Sequence, residues 1–177
     1  AETVSSHIQA LRDLFDFGVD IIQNHNMRLL AGAETNSPEM RREFNFKTRY
    51  RLIHGDAGAY ACPDESTIRV FEYEESLRET TTMSEAELFY LRKLHFLVDF
   101  AWNLDVYKPL LRVGHLYGVN PIDVLQQLLK IAEAPTTEFG QAAERMAKFF
   151  AVFDMKSKEE WFDTRDDIEL YFEDERN

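Results

Sequence analysis

Apolar residues near the start of the chain recur at the spacing of an α-helix. The positions are Val4, Ile8, Leu11, Leu14 and Phe15. Thr3 precedes them as an N-cap and Gly18 follows as a stop, so we expect an amphipathic helix of about four turns. The next apolar stretch, over residues 20–30, is rich in β-formers and ends before the turn-forming Gly32, which predicts a strand.

A helix followed by a strand is the second half of an alternating α/β unit, yet no strand precedes this helix. The first methionine is Met27, which agrees with a missing N-terminal part. We therefore expect the chain to be a piece of a longer protein. A strand without its neighbours should be poorly ordered, fold back on another sheet, or pair with a second copy in a homodimer.

The middle of the chain predicts a short helix and a small sheet. Ser37 followed by Pro38 is typical of a helix start, so residues 38–44 should be helical. β-forming residues cluster over 48–53, 57–60 and 68–73, separated by glycine and proline. A small antiparallel sheet or ribbon fits this pattern.

The second half of the chain predicts helices only. A capping box of Ser84 and Glu87 begins a helix that reaches about residue 104 and is apolar nearly all round, so it should be the centre of packing. Further helices are predicted over 109–117, from 121 to before Pro135, over 136–153, and after a second capping box of Ser157 and Glu160.

These elements predict a mainly α (α+β) fold: a helical bundle with a small β-ribbon or sheet and an N-terminal helix–strand remnant. The predicted parts are residues 1–36, the helix–strand remnant; 37–83, a short helix with the small sheet; and 84–177, a helical C-terminal domain. The 177 residues, 45% of them hydrophobic, suffice for a buried core without disulfides or metals.

The charge and composition of the chain limit the classes of molecule that it could bind. The net charge of −12 and the pI near 4.8 make nucleic acid an improbable partner, and no apolar run reaches the roughly 20 residues of a membrane span. We expect a cytoplasmic protein. Residues 154–177 hold ten acidic and four basic side chains, whereas residues 27–53 carry six basic and three acidic ones. The basic stretch is interpreted as surface ion pairs, with an anion-facing patch as the alternative.

No self-sufficient catalytic set is recognisable in the sequence. His95 and Asp99 lie four residues apart and would present two metal ligands on one helix face, but no third ligand is identifiable. The alternative is an imidazole that hydrogen-bonds the neighbouring carboxylate or water. Arg92, Asp99 and Asn103 share a polar stripe that should contact another segment rather than form an active site. The single cysteine, Cys62, has no base beside it in sequence.

Several segments, taken in order, resemble the C-terminal part of cobalamin-binding radical S-adenosylmethionine (SAM) proteins. They are MRLLAGAE (27–34), SPEMR (37–41), FKTRYR (46–51), EYEE (72–75), TTTMS (80–84) and LRKLHFL (91–97). The first resembles the end of the sixth barrel strand, although Ala31 and Ala33 replace the proline and threonine of that pattern. The likeness covers roughly residues 2–105.

The resemblance implies a role outside catalysis. The chain lacks the three-cysteine motif that holds the family's 4Fe-4S cluster, so the cluster, SAM and cobalamin would be bound by the full-length protein. Its partner would be the rest of its own polypeptide, the barrel and the cobalamin domain. Because active sites sit at the C-terminal ends of barrel strands, Arg28 and Gly32 would border a cofactor in the intact barrel. A structural ion pair is the alternative for Arg28.

Two other functions remain open from the sequence. One is a stand-alone acidic helical module that binds a protein partner. The other is a small hydrolase or metal protein built around His95 and Asp99.

Overall fold

A computed structural model describes residues 2–134, 140–159 and 161–173, and it is mainly helical with a small antiparallel sheet. Its elements are α1 (Val4–Asp16), α2 (Pro38–Glu43), β1 (Lys47–Ala61), β2 (Thr67–Glu79), α3 (Glu85–Val98), α4 (Lys108–Leu116), α5 (Pro121–Glu133), α6 (Gly140–Glu159) and α7 (Arg165–Glu173). The chain forms two compact units. The first comprises Ala1–His25 and Thr82–Met155, and the second comprises Asn26–Thr81 and Lys156–Asn177.

The first unit is helical and packs around α3, as the sequence predicted. Leu94 and Val98 of α3 are completely buried, together with Phe15 of α1 and Ile122 of α5. The ring of Phe15 meets Trp102 edge-on, with 4.9 Å between the centroids. Edge-to-face packing of this kind adds to the stabilisation from apolar burial.

The predicted helix ends in the first unit are confirmed. Thr3 caps α1, and Gly18 follows that helix with φ of 75°. Ser84 and Glu87 form the predicted capping box of α3. The chain stays helical beyond α3 through a π-helical turn, Asp99–Asn103, so the helix reaches its predicted length with a widened last turn. Phe100 is nevertheless 40% exposed, so this helix is not buried on every side.

The strand predicted over residues 20–30 is wrong: these residues form a loop, with one bridge at Arg28. In the first unit, Asn103 of the π-helical turn bonds both backbone groups of Ile22, with its Oδ1 at 3.0 Å from the amide nitrogen and its Nδ2 at 2.7 Å from the carbonyl oxygen. The indole of Trp102 donates to the carbonyl of Val19. Side chains therefore satisfy the backbone groups that a neighbouring strand would otherwise pair.

The second unit is built on one long hairpin of β1 and β2. The predicted strands at 48–53 and 57–60 are a single strand, because a register shift between Leu52 and Ala57 absorbs the glycine-containing stretch. Residues 27–29 fold back on the edge of β2 through the bridge of Arg28 to Ser76. That is the second of the three outcomes expected for this segment. On the edge of β1, Tyr50 bridges to Phe162.

The two short helices of the second unit differ in how well the sequence predicted them. Helix α2 begins at Pro38 with Ser37 as its cap, as predicted. The helix start predicted from the capping box of Ser157 and Glu160 is wrong, since Ser157 lies inside α6. Instead, the Thr164 side chain accepts from the Asp167 amide and the Asp167 carboxylate accepts from Thr164, so the last helix begins later. Residues 135–139, which include the predicted start of the preceding helix, lie outside the described residues.

Candidate functional site

Arg28, the first predicted site residue, forms an ion pair within the second unit. Its Nε lies 2.6 Å from Oε2 of Glu74, whose side chain is only 6% exposed. Arg51 of β1 approaches the other oxygen of the same carboxylate at 2.5 Å. Two guanidinium groups thus compensate a carboxylate that has lost most of its hydration, as a buried charge requires. The Arg28 side chain remains 52% exposed.

Gly32, the second predicted site residue, lies in an exposed turn. Its φ of 80° belongs to the left-handed region, which side chains other than glycine adopt at a cost. A Cβ added at this position would meet no heavy atom within 4 Å. The glycine therefore serves the backbone conformation, and space is open above the turn.

A second acidic residue, Glu75, organises a neighbouring set of polar side chains. Arg41 of α2 approaches both of its oxygens, at 2.9 and 2.6 Å, and the hydroxyl of Thr48 donates to it at 2.6 Å. Burial opposes ionisation of Glu75, but the hydrogen bonds from Arg41 and Thr48 outweigh it, so the pKa of this carboxyl lies below its usual value. Burial and the adjacent Glu75 raise the pKa of Tyr50.

The inward face of β2 carries polar residues and meets an aromatic side chain. Glu74, Ser76 and Arg78 alternate along the strand and are all buried. The guanidinium groups of Arg51 and Arg78 lie 5.0 and 4.8 Å from the centroid of the Trp161 indole. Cation–π contacts at these distances stabilise the packing of Trp161 in the second unit.

The basic stretch over residues 27–53 is thus largely occupied by ion pairs. Besides Arg28, Arg41 and Arg51, Lys47 contacts Glu79 and Arg49 lies 3.1 Å from Asp163. This pairing supports the interpretation of the stretch as ion pairs over that of a free anion-facing patch.

In the first unit, His95 contacts another histidine. Its Nε2 lies 2.7 Å from Nε2 of His7, and Nδ1 of His7 lies 2.9 Å from a carboxylate oxygen of Glu2. Burial, with a smaller contribution from His7, lowers the pKa of His95 from 6.5 to about 4. Asp99 accepts instead from Asn103 at 2.6 Å. The hypothesis that His95 and Asp99 act together therefore gains no support from this geometry.

Among the residues whose side chains the structure describes (2–53, 58–134, 140–158 and 161–171), no three His, Cys, Asp or Glu side chains converge as a metal-binding group. The same residues include no helix with the length and apolar character needed to cross a bilayer.

Several residues of these sites escaped the sequence analysis. His7 carries no local signal, because its partner stands 88 positions later in α3. Trp161 was assigned to a helix, whereas it precedes the bridge at Phe162. Glu74, Ser76 and Arg78 lie beyond the strand predicted over 68–73, and a polar strand face ordinarily points to solvent.

Comparison with known proteins gives no assignment. No protein-family model matches the chain, and no curated protein shows significant sequence similarity to it.

Proposed function

We propose that this chain is the non-catalytic C-terminal domain of a radical SAM enzyme that also binds cobalamin. In that role it covers the open side of the barrel and shapes substrate access or docks a partner. The 4Fe-4S cluster, SAM and cobalamin belong to the rest of the polypeptide, which supplies the chemistry.

One observation carries the proposal: segments that resemble the family at separate places in the sequence meet in the second unit. Arg28 and Arg51 converge on Glu74, and Arg41 converges on Glu75. The partners are between 23 and 46 positions apart. A shared ion-pair network gives a physical reason for these residue types to occur together.

Arg28 and Gly32 are the residues proposed to border a cofactor in the intact barrel. Glu74 holds Arg28 through Nε, while half of the side chain remains exposed and able to meet a carboxylate or phosphate. The open space above Gly32 lets another group approach the backbone closely.

The test begins with the reading frame upstream of Ala1. We expect a three-cysteine motif within a couple of hundred residues, and we expect the full-length protein to bind iron and cleave SAM reductively. This chain alone should do neither. A reading frame that starts at Ala1, or a full-length protein without iron after reconstitution, would contradict the proposal.

Hydrogen exchange gives a second test that does not depend on turnover. Amides of residues 30–34 lie in an exposed turn and a short 3-10 segment, so they should exchange quickly in this chain. In the full-length protein they should slow markedly, while the amides of α5 remain unchanged as an internal control. Equal exchange rates for residues 30–34 in both proteins would count against burial beside a barrel.

An alternative function is a stand-alone acidic helical interaction module, and the exposed apolar side chains of α4 favour it. Leu110 is 68% exposed and Leu116 is 84% exposed. If this face pairs two copies, Leu116→Ser should lower the association constant measured by sedimentation equilibrium. Leu170→Ser, at a similarly exposed position of α7, should leave it unchanged. A strictly monomeric wild-type chain would contradict self-association through α4.

A further inference from the structure

Aromatic side chains of the first unit form a continuous series of contacts from α6 to the start of α4. The ring centroid of Phe149 in α6 lies 5.3 Å from that of Phe96 in α3. Phe96 lies 6.1 Å from Phe100 in the π-helical turn, and Phe100 lies 6.2 Å from Tyr107, which precedes α4. Phe149, Phe100 and Tyr107 are each between 40% and 52% exposed, so this series reaches the surface along its length.

Helix α4 extends this exposed surface. Leu110 and Val113 of α4 and Tyr117 at its C-cap follow Tyr107 at spacings of three or four residues, which places them on one side of the helix. All three are more than half exposed. We call the following six residues the Phe100 face: Phe100, Tyr107, Leu110, Val113, Tyr117 and Phe149.

The orientation of α4 is unusual for a surface helix. Such a helix ordinarily buries its apolar side and exposes its charged side. Of the three leucines of α4, only Leu111 is buried, while Lys108 and Arg112 pair with Asp20 of the same unit. Most of the apolar side of α4 is thus left available to another surface.

The π-helical turn places Phe100 between the two ends of this surface. Ala101 and Trp102 of the same turn are 4% and 2% exposed, whereas Phe100 is 40% exposed. Widened turns of this kind are frequent at functional sites, because they change the direction in which side chains point. Here the turn keeps the indole of Trp102 in the core and presents an aromatic ring to solvent.

The exposed area is sufficient for a stable protein interface. Leu104 and Leu116, which are 69% and 84% exposed, lie four residues after Phe100 and three residues after Val113, so they border the Phe100 face. At roughly 100 Å² of exposed surface for each of these eight side chains, the total is about 800 Å². The largest apolar patch on a typical monomer is about 300–600 Å², whereas one partner of a standard-size interface contributes about 800 Å².

We propose that the Phe100 face binds a second copy of this chain in a symmetric dimer. All six of its side chains are uncharged, and homodimer interfaces are more apolar than interfaces between independent partners, which are about as polar as the remaining surface. In a two-fold symmetric dimer, residues near the axis meet their own copies, so a charge there would repel itself. An uncharged face therefore allows two chains of net charge −12 to pair.

A lipid surface fits the Phe100 face less well than a second copy does. Helices that lie on membranes ordinarily present Lys and Arg to anionic headgroups. In α4 the side chains of Lys108 and Arg112 are already paired with Asp20, and the net charge of −12 opposes approach to anionic lipids.

The dimer is independent of the proposed radical SAM function. The Phe100 face belongs to the first unit, whereas the ion-pair network of Glu74 and Glu75 belongs to the second. A monomeric chain would refute the dimer and leave the upstream cysteine motif unaffected, while the absence of that motif would leave the dimer standing.

Sedimentation equilibrium of the full chain tests the dimer. We expect a species of 41.6 kDa, twice the 20.8 kDa of one chain, with a dissociation constant below about 100 µM. Because apolar burial drives this association and net charge opposes it, raising NaCl from about 50 mM to about 500 mM should leave the dissociation constant unchanged or lower it.

Substitutions locate the interface. Phe100→Ser should raise the dissociation constant at least about thirtyfold, because aromatic residues at the centre of an interface carry most of its affinity. Val113→Glu, in the exposed side of α4, is the second variant should the first fail to fold, and it should weaken the dimer by a similar factor. Leu170→Glu, at a 67% exposed position of α7, adds the same charge outside the face and should dimerise as the wild type does.

Several outcomes would overturn the proposal. A dissociation constant above about 100 µM for the wild type would do so, and if that monomer bound phosphatidylcholine vesicles through Phe100, the face would be assigned to lipid instead. Unchanged dimerisation of folded Phe100→Ser and Val113→Glu would place the interface elsewhere, as would equal weakening by Leu170→Glu. Dissociation by added salt would refute apolar burial as the cause.

Discussion

Acidification should destabilise the first unit through His95. The pKa of this imidazole is 6.5 in the unfolded chain and about 4 in the folded one, because burial and His7 disfavour its charged form. Between these values the unfolded chain binds a proton that the folded chain does not. The free energy of unfolding is therefore complete above pH 6.5 and falls as the pH decreases toward 4.

The expected loss follows from the size of the shift. A difference of one pKa unit corresponds to about 1.4 kcal/mol, so His95 alone should remove about 2 kcal/mol at pH 5 and about 3 kcal/mol at pH 4. Burial of His95 is the larger part of this cost, and the contact with His7 adds to it. With 2.7 Å between the two Nε2 atoms, one imidazole must offer a lone pair to the other, and two protonated rings would repel.

Urea unfolding at pH 7.5 and pH 5 measures this loss, and amide exchange in α1 and α3 assigns it to the first unit. His95→Gln should lose about 2 kcal/mol less than the wild type between the two pH values. His7→Gln should retain most of the loss, because burial is the larger cause. Equal losses in the wild type and His95→Gln would refute the reasoning.

Three other substitutions, one in the first unit and two in the second, test local contacts and backbone conformation by urea unfolding. Asn103→Ala removes two hydrogen bonds to a partly buried backbone and should cost about 1–3 kcal/mol, and a change below about 0.5 kcal/mol would contradict the role of this amide. Glu75→Gln should cost about 1–3 kcal/mol at pH 7 through weaker pairing with Arg41. Since the folded pKa of Glu75 is lowered, that cost should shrink as the pH falls below 4.5, and a constant cost would contradict it. Gly32→Ala should cost about 1 kcal/mol because of its positive φ, whereas Gly114→Ala in α4 should be neutral or stabilising.

The helices could be predicted from the sequence because their signals are local. The capping residues Thr3, Ser37 and Ser84 each precede a helix at the expected place. The strand over residues 20–30 could not be excluded from sequence. Its apolar residues suit a strand, but Asn103, some 80 positions later, bonds the backbone at Ile22 instead. Propensity gives way where a distant side chain satisfies the backbone.

The candidate sites depended even more on distant contacts. Arg28 was recognised together with the alternative of a structural ion pair, and the structure gives it the partner Glu74. His95 was paired with Asp99 as a possible metal ligand, yet its contact with His7 follows only from the packing of α1 on α3. A sequence indicates which side chains are able to titrate, whereas the fold decides which of them meet.

The two edges of the β1–β2 hairpin are covered unevenly, which affects its tendency to aggregate. The bridges at Ser76 and Tyr50 cap the two edges near the open end of the ribbon, which hinders strand addition by another molecule there. Toward the tip, over residues 58–61 and 67–70, neither bridge reaches, and Tyr60, Ile68 and Val70 are about half exposed or more. Fibril nucleation under destabilising conditions should therefore begin at the tip, and a lysine at position 68 is the gatekeeper that would suppress it.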